Sequence, residues 1–380
     1  MYPPNVTHLP TKNVWLDLID EAQTQIEIAS FYWSLRYNEE YPYNSSIEGE
    51  QVFQALYAAG SKRNIDLKIA QNWPNKQFPN VDTEYLVKKK AAQVRSLNFS
   101  KLLGNGILHT KFWIIDRKHF YIGSANMDWR ALTQVKLYFS NSPSTIKILK
   151  LLILYSHHFE SGHISAPIST FTCNYVYKHV FYTNIFLQSS PPPLSPTGRT
   201  HDDAAIVSII DSAEEFVYIS VMDYEPMCTF THKFWPNIDD AIRKAALENN
   251  VKVKLLISWW KHSSPAEDHF LRSLTDLSQA YPKVDLQVKR FVVPSTPEQD
   301  KIPYARVNHN KYMVTDRTAY IGTSNWSGDY FTTTAGVAFV FQDLNTEAIF
   351  QNVTRDIRKD LQEVFERDWN SPYAVPLRRL

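Results

Sequence analysis

Two short phrases, His109-Thr110-Lys111-Phe112-Trp113-Ile114-Ile115-Asp116 and His309-Asn310-Lys311-Tyr312-Met313-Val314-Thr315-Asp316, share the pattern H-x-K-x4-D. Each is followed by a glycine-led echo, Gly123-Ser124-Ala125-Asn126 and Gly322-Thr323-Ser324-Asn325. One such phrase is weak evidence, because His, Lys and Asp are common residues. Two copies at matched positions point to one site built twice, with paired imidazoles and paired ammonium groups facing one anion. A phosphodiester needs that set: positive charge, a nucleophile, and an acid for the leaving oxygen. Lys111 and Lys311 supply the charge. Ser124, Asn126, Ser324 and Asn325 are placed to donate hydrogen bonds to phosphate oxygens. One histidine attacks phosphorus and forms a phosphohistidine; the other, protonated, serves the leaving oxygen and then activates water. The scheme requires no metal and no cofactor, and no zinc ligand set is visible. An unperturbed histidine acid loses its proton at about pH 6 to 7, so activity is expected to fall there.

Strand side chains alternate faces, so His109 and Lys111 point the same way, as do His309 and Lys311. Asp116 and Asp316 have the opposite parity and adjoin a turn. Two roles stay open for them, chemical participants or residues that hold the turn.

Positioning such a site takes two matching scaffolds, and the chain is written twice. Leu18 to Ala22 leads into Ile26 to Trp33; Ile209 to Ala213 leads into Val217 to Tyr224. Each is a helix end followed by a strand rich in β-branched and aromatic residues. A helix follows in each half, through Val52, Phe53, Leu56 and Tyr57, and through Ile238, Ile242, Ala245 and Leu247. Strands at Asn64–Ile69 and Asn250–Leu255 come next, then Gln93–Arg95 and Gln287–Lys289, then the histidine phrase. This order predicts an α/β fold of two similar lobes, each a mixed sheet with a largely parallel core, flanked by helices. Residues 1–188 form the first lobe, 189–200 a Pro-rich linker around Ser189-Ser190-Pro191-Pro192-Pro193, and 201–380 the second lobe.

With 380 residues, 44% hydrophobic and 21% charged, the chain has the composition of a globular protein. A net charge of +1 argues against coating nucleic acid by bulk electrostatics, while leaving room for a local basic groove. Glycine is scarce, at 10 residues, and no G-x-G-x-x-G, P-loop or G-x-S-x-G occurs. Dinucleotide, nucleoside-triphosphate and serine-hydrolase chemistries lose support accordingly. The His157-His158-Phe159-Glu160 and His163 cluster reads better as a solvated polar segment than as a metal site. One disulfide, Cys173 with Cys228, stays open. No signal peptide opens the chain and no apolar stretch is long enough to span a bilayer. Sequons at Asn5, Asn44, Asn98, Asn325 and Asn352 hint at a lumenal glycoprotein. Trp33, Tyr224, Trp259, Trp260 and Trp326 could stack bases, core packing being the alternative for each.

These residues resemble the phospholipase D superfamily, whose signature is the doubled H-x-K-x4-D with a downstream G-[ST]-x-N. Closer still is the animal endolysosomal branch of type three and type four proteins. The resemblance rests on Ile28 to Trp33, Leu108 to Trp113, Tyr121 to Arg130, Arg306 to Thr315 and Tyr320 to Ser327. Pro191 to Thr200 and Phe365 to Tyr373 also match. It implies two lobes related by pseudo-two-fold symmetry, with the active site between them and His109, Lys111, Asp116, His309, Lys311 and Asp316 as catalytic residues. It makes His109 the nucleophile and His309 the acid. It implies a 5′ exonuclease on single-stranded DNA or RNA in an endolysosomal or endoplasmic-reticulum lumen. Phospholipase D or transphosphatidylase activity on phospholipids is the alternative, and a catalytically impaired phosphate-binding relative is a second one. A homodimer is left open. The chain departs from the branch at residues 137–187, where its E-L-G-V strand is replaced. Cysteines expected in the branch are missing, with Ser195 at one such place, and so is the membrane anchor that normally precedes the first lobe.

Overall fold

The computed structural model describes residues 10–36, 43–135, 183–343 and 357–377. In the first lobe five strands form one sheet in the order Gln93–Leu97, Asp66–Asn72, Gln25–Ser30, Lys111–Ile115, His119–Ile122. The first three run parallel, and the last two are added antiparallel. Helices Thr11–Glu21, Ile47–Lys62 and Val81–Lys88 belong to this lobe. Ile47–Lys62 illustrates the local logic: Val52, Phe53, Leu56 and Ala59 recur at helical spacing and are buried.

The second lobe repeats the plan around Leu286–Phe291, Lys252–Ser258, Phe216–Val221, Lys311–Thr315 and Thr318–Gly322, and extends it. Ala374–Pro376 is added at one edge, and Gly336–Asp343 then Thr183–Ser190 at the other, making eight strands. The register is the same in both lobes. Ser30 stands opposite Lys111, and Val221 opposite Lys311. The parallel core and the antiparallel additions agree with the mixed sheets expected from the sequence.

The domain boundary differs from the sequence expectation. Thr183–Ser190 pairs along its whole length with Gly336–Asp343, so residues 183–188 sit in the second lobe's sheet. Ser189 and Ser190 are strand residues rather than linker. The physical reason is the open edge of Gly336–Asp343, whose backbone groups need a partner. Of the atypical segment 137–187, residues 137–182 lie outside the described residues. The His157 to His163 cluster, Cys173 and the sequons at Asn5 and Asn352 do so too.

Among the described residues, three large apolar cores and two small ones hold the molecule. Trp15, Phe53, Ile69 and Trp113 lie in the first lobe's core, and Ile206, Ile242, Leu255 and Met313 in the second's. A third lies where the lobes meet and joins Phe112, Ile114 and Ile122 to Tyr312, Phe339 and Phe365. Phe120 stacks on Phe339 across this boundary, with ring centroids 4.5 Å apart. Strand Lys111–Ile115 is therefore buried throughout, Phe112 and Ile114 facing the shared core and Trp113 and Ile115 their own lobe. Removing that much apolar surface from water is the main force docking the lobes. No helix among the described residues is long and apolar enough to cross a membrane.

Candidate active site

Both histidine phrases enter their strands where the two lobes touch. The His109 amide donates to the Ala335 carbonyl at 2.9 Å, and the Ala335 amide to the Ile107 carbonyl at 2.8 Å. One residue earlier, Asn72 Oδ1 accepts the Leu108 amide at 2.9 Å; in the second lobe Ser258 Oγ accepts the Asn308 amide at 3.2 Å. Each phrase is thus anchored to the end of a parallel-core strand, one strand removed in the sheet, before its catalytic residues begin.

The imidazoles are oriented reciprocally across the boundary. His109 Nδ1 lies 2.9 Å from the Thr323 carbonyl, and His309 Nδ1 lies 2.8 Å from the Ser124 carbonyl. A carbonyl oxygen can only accept, so each Nδ1 carries a proton and each Nε2 keeps its lone pair. Each lobe therefore sets the tautomer of the other's histidine. Within each phrase the lysine folds back: Lys111 Nζ donates to the His109 carbonyl at 2.7 Å, and Lys311 Nζ to the His309 carbonyl at 3.1 Å. Phe31 contacts the first pair, 5.4 Å from the His109 ring and 5.9 Å from Lys111 Nζ.

The charges are buried, which sets the electrostatics. Lys111 and Lys311 are 1% and 2% exposed. Burial pushes the Lys111 ammonium well below its ordinary value, with Lys311 adding to the effect. Burial also pushes Lys311 down, and the Asp223 carboxylate beside it acts against this. Burial holds His109 far below the usual histidine range, reinforced by Lys111, Lys311 and His309. His309 is lowered by burial and then by Lys311 and Lys111. In the free protein both imidazoles are therefore neutral at neutral pH. A phosphodiester placed among them supplies the missing negative charge and raises all four basic groups again. The fall in activity expected at pH 6 to 7 for an unperturbed histidine moves to more acid pH for the free protein.

Asp116 and Asp316 are not brought to this site. Asp116 accepts the Gln23, Thr24 and Gln25 amides at 2.7, 2.8 and 2.8 Å and the Thr24 hydroxyl at 2.8 Å. Asp316 accepts the Glu214, Glu215 and Phe216 amides at 3.2, 3.1 and 3.3 Å. Each carboxylate ties the far end of its strand to the helix–strand turn of the repeat, roughly 16 Å of chain from the lysine. This corrects their expected catalytic role in favour of the turn-holding one, as the parity of the spacing allowed.

Among the expected phosphate-binding residues, Ser124 and Asn325 are buried, and Asn126 is partly exposed. Among the described residues, Ser124 Oγ, Asn126 Oδ1 and Asn325 Oδ1 have no hydrogen-bond partner. Of these, the Ser124 hydroxyl can donate to a bound anion, whereas an asparagine Oδ1 only accepts. Ser324 is placed differently. Its side chain lies against Gly336, where a Cβ would meet Ser324 Oγ at 2.1 Å, and it faces the buried Asp202 carboxyl. The counterpart of Ser124 is Thr323, whose carbonyl holds His109 and whose Oγ1 accepts the Val337 amide at 3.0 Å. Aligning the two glycine-led echoes residue by residue carries this signal, since Ser324 then falls opposite Ala125.

Several neighbours carry no motif. Position 32 of the first lobe is position 223 of the second in the shared register. Tyr32 Oη donates to Asp128 Oδ2 at 2.8 Å, and Arg130 Nη2 reaches the same oxygen at 2.7 Å. Asp223 instead accepts from Asn325 Nδ2 at 2.7 Å and sits beside Lys311. Behind it Arg290 Nη1 pairs with Glu267 Oε2 at 2.6 Å, while Glu267 Oε1 accepts the Tyr224 amide at 2.6 Å. Trp33, Tyr224 and Trp326 are core residues, 2%, 1% and 1% exposed, and are unavailable for stacking; Trp259 and Trp260 are half-buried.

Comparison with known proteins agrees with this geometry. A family profile described as PLD3/4, PLD-like domain matches residues 5–296. A Xenopus laevis protein described as 5′-3′ exonuclease PLD3 is 47% identical over 385 residues, covering 96% of this chain and 76% of that protein. The Homo sapiens protein of the same description is 42% identical, covering 97% of this chain and 76% of that one. A Caenorhabditis elegans protein described as a probable phospholipase D is 40% identical, covering 98% and 68%. The fold also matches the crystal structure of phosphatidylserine synthase from Haemophilus influenzae, with a TM-score of 0.62 at 13% identity, covering 96% of this chain and 85% of that one.

Proposed function

This chain belongs to the PLD3/4 family of phospholipase D-like proteins, and we propose that it removes nucleotides from the 5′ end of single-stranded DNA or RNA through a covalent phosphohistidine. The observation that carries the mechanism is the reciprocal pair of Nδ1–carbonyl bonds, which leaves both Nε2 lone pairs free at one buried, basic site. The exonuclease descriptions of relatives over most of their length support the substrate.

The chemistry follows from that arrangement. Lys111 and Lys311 neutralise the non-bridging oxygens, assisted by the Ser124 hydroxyl and the Asn126 amide, while Asn325 Nδ2 holds Asp223. His109, lowered by burial and then by Lys111, Lys311 and His309, is held neutral and attacks phosphorus through Nε2. The P–N bond forms as one P–O ester bond breaks, and His309, protonated once the anion is bound, delivers its proton to the departing oxygen. His309 is then a base: it takes a proton from water as water attacks phosphorus, and the P–N bond breaks to regenerate His109. Positive charge comes from the protein's own ammonium groups, so excess chelator is expected to leave activity intact.

We place the working environment in an acidic lumen. Burial raises Asp82 to about 6, Asp202 to about 7 and Glu267 to about 8. A carboxyl raised on folding stabilises most below its unfolded value, and that stabilisation is lost as pH rises through 6 to 8. A melting temperature that does not fall between pH 5 and 8 would contradict this placement.

The direct test is cleavage of a 5′-hydroxyl single-stranded oligonucleotide in excess chelator. Stepwise shortening by the native chain and none by His309→Ala is expected. Turnover of phospholipid with no nucleic-acid cleavage would move the activity to the lipid alternative. Phosphate binding without turnover of either substrate would indicate the impaired relative.

A further inference from the structure

Beside the second histidine phrase lies an aromatic group that the phosphate chemistry does not use. His262 stacks on Tyr304 with ring centroids 4.8 Å apart and planes inclined by 19°. Trp260 meets the His262 ring edge-on, at 4.7 Å and 69°. Unlike the buried aromatics of the core, Tyr304 keeps 50% of its surface exposed, and His262 is exposed as well. Lys261, between Trp260 and His262, is exposed too.

Both arms of this group are tied to the catalytic machinery. Trp260 follows Ser258, whose hydroxyl anchors Asn308 next to His309. Tyr304 precedes His309 by five residues in the sequence. At no more than about 3.6 Å per residue, its Cα lies within about 18 Å of the catalytic histidine, a span of one to a few nucleotides.

The group is also held rigidly. The Trp260 amide donates to Ser263 Oγ at 3.1 Å, and the Ser263 amide returns to the Trp260 carbonyl at 3.1 Å. Tyr304 and Arg306 both adopt left-handed backbone, with φ of 56°. Bulky residues stay there only when the surroundings hold them. Here Arg130 of the first lobe donates to the Pro303 carbonyl at 3.0 Å, the Arg306 amide donates to the Gln134 carbonyl at 2.9 Å, and the Arg306 guanidinium grips the Pro294 carbonyl.

We propose that Trp260, His262 and Tyr304 form a stacking subsite for the base of a nucleotide flanking the scissile phosphate. This rests on the nucleic-acid reading of the site and extends it. Stacking on an exposed aromatic accepts any base, because every base has a π-face, and an adjacent lysine suits the phosphate that follows. A preformed platform adds affinity because little order must be created on binding. A lipid substrate offers no planar group to such a stack.

The test compares two single-stranded oligonucleotides, one natural and one with abasic residues at its first three 5′ positions. The native chain is expected to cleave the natural strand with kcat/KM about tenfold higher. Tyr304→Ala should abolish that preference, bringing the natural strand to the rate of the abasic one. His262→Ala, at an exposed position, should reduce it, and Tyr304→Phe should retain it. Equal cleavage of both strands by the native chain, or a preference that survives both alanine variants, overturns the subsite while leaving the exonuclease reading in place. Equal loss on both strands in His262→Ala means a merely structural role and overturns it as well. Cleavage of neither strand by the native chain, with phospholipid turned over, overturns the exonuclease reading and the subsite together.

Discussion

The two lobes present the same histidine and lysine on the same backbone and then surround them differently. In both, Nδ1 donates to a carbonyl of the opposite lobe and the lysine reaches back to its own histidine's carbonyl. In the first lobe the Phe31 ring lies beside His109 and Lys111, and the Tyr32 hydroxyl takes the place next along. In the second, Met222 Sδ lies 4.0 Å from Lys311 Nζ, and the Asp223 carboxylate follows, backed by Arg290 and Glu267. The shared parts are those that phosphoryl transfer needs from each half. The unshared parts differ in what stands beside each lysine: Phe31 lies against Lys111, while the Asp223 carboxylate beside Lys311 acts to hold its proton.

Histidine variants probe the division of roles between the two halves with the largest effects. His109→Ala is expected to abolish turnover of every phosphodiester, a loss of about 10⁴-fold or more. His309→Ala is expected to cost about 10²- to 10⁴-fold with an alkoxide leaving group. Its deficit should shrink in the first chemical step when the leaving group is 4-nitrophenolate, which departs without a proton. Single-turnover rates with the two leaving-group types check this, and an identical pattern in both variants would break the division.

Lys111→Met and Lys311→Met come next, each expected to lower kcat/KM by about 10²- to 10³-fold through lost stabilisation of the phosphate. Each lysine depresses both histidines, so each substitution should also raise the His109 titration toward the ordinary histidine range. Imidazole titration followed by NMR would show it; a His109 curve unmoved in both variants would contradict the assigned electrostatics.

Asp223→Asn sharpens the comparison further. Burial raises the Asp223 carboxyl, so its charge develops only as pH rises above the ordinary carboxylate range, and it then competes with substrate for Lys311. The variant is expected to match the native chain at acid pH and to show a KM several-fold lower near neutrality. Tyr32→Phe at the matching first-lobe position should leave the shape of the KM–pH profile unchanged. The same pH effect in both would remove the distinction.

The smallest effects belong to the turn aspartates. Asp116→Ala is expected to lower stability by about 1–2 kcal/mol after solvent screening, and Asp316→Ala, whose bonds are longer, by less than about 1 kcal/mol. Denaturant melts would measure this, with kcat retained in the folded fraction. Burial acts to raise the Asp116 carboxyl, but its amide bonds outweigh this and depress it. Its contribution is therefore present above the ordinary carboxylate value and lost as pH falls through the depressed one.

Much of this was legible in the sequence because duplication doubles every weak signal. The strand–helix–strand order, the mixed sheets and the pairing of His109 and Lys111 with His309 and Lys311 follow from matched residues in the two halves. The opposite parity of Asp116 already separated it from its histidine, yet only the Gln23 to Gln25 amides show what it holds. The expectation for Ser324 misses because register puts Thr323, not Ser324, opposite Ser124. Asp223, Tyr32 and the Tyr304–His262 stack were invisible, since each depends on which side chains meet after folding. The strand Thr183–Ser190 was hidden as well, because its partner lies about 150 residues away in the chain and long-range pairing leaves no local mark.

The central claim is that His109 becomes the phosphohistidine. Mixing bis(4-nitrophenyl) phosphate with His309→Ala and following 4-nitrophenolate release tests it most directly, with alkaline quenching and mass mapping of the trapped adduct. The account predicts a burst of one nitrophenolate per chain, an adduct on His109, slow decay for want of a base, and no burst in His109→Ala. A burst that persists in His109→Ala, or an adduct mapped to any residue other than His109, would contradict it.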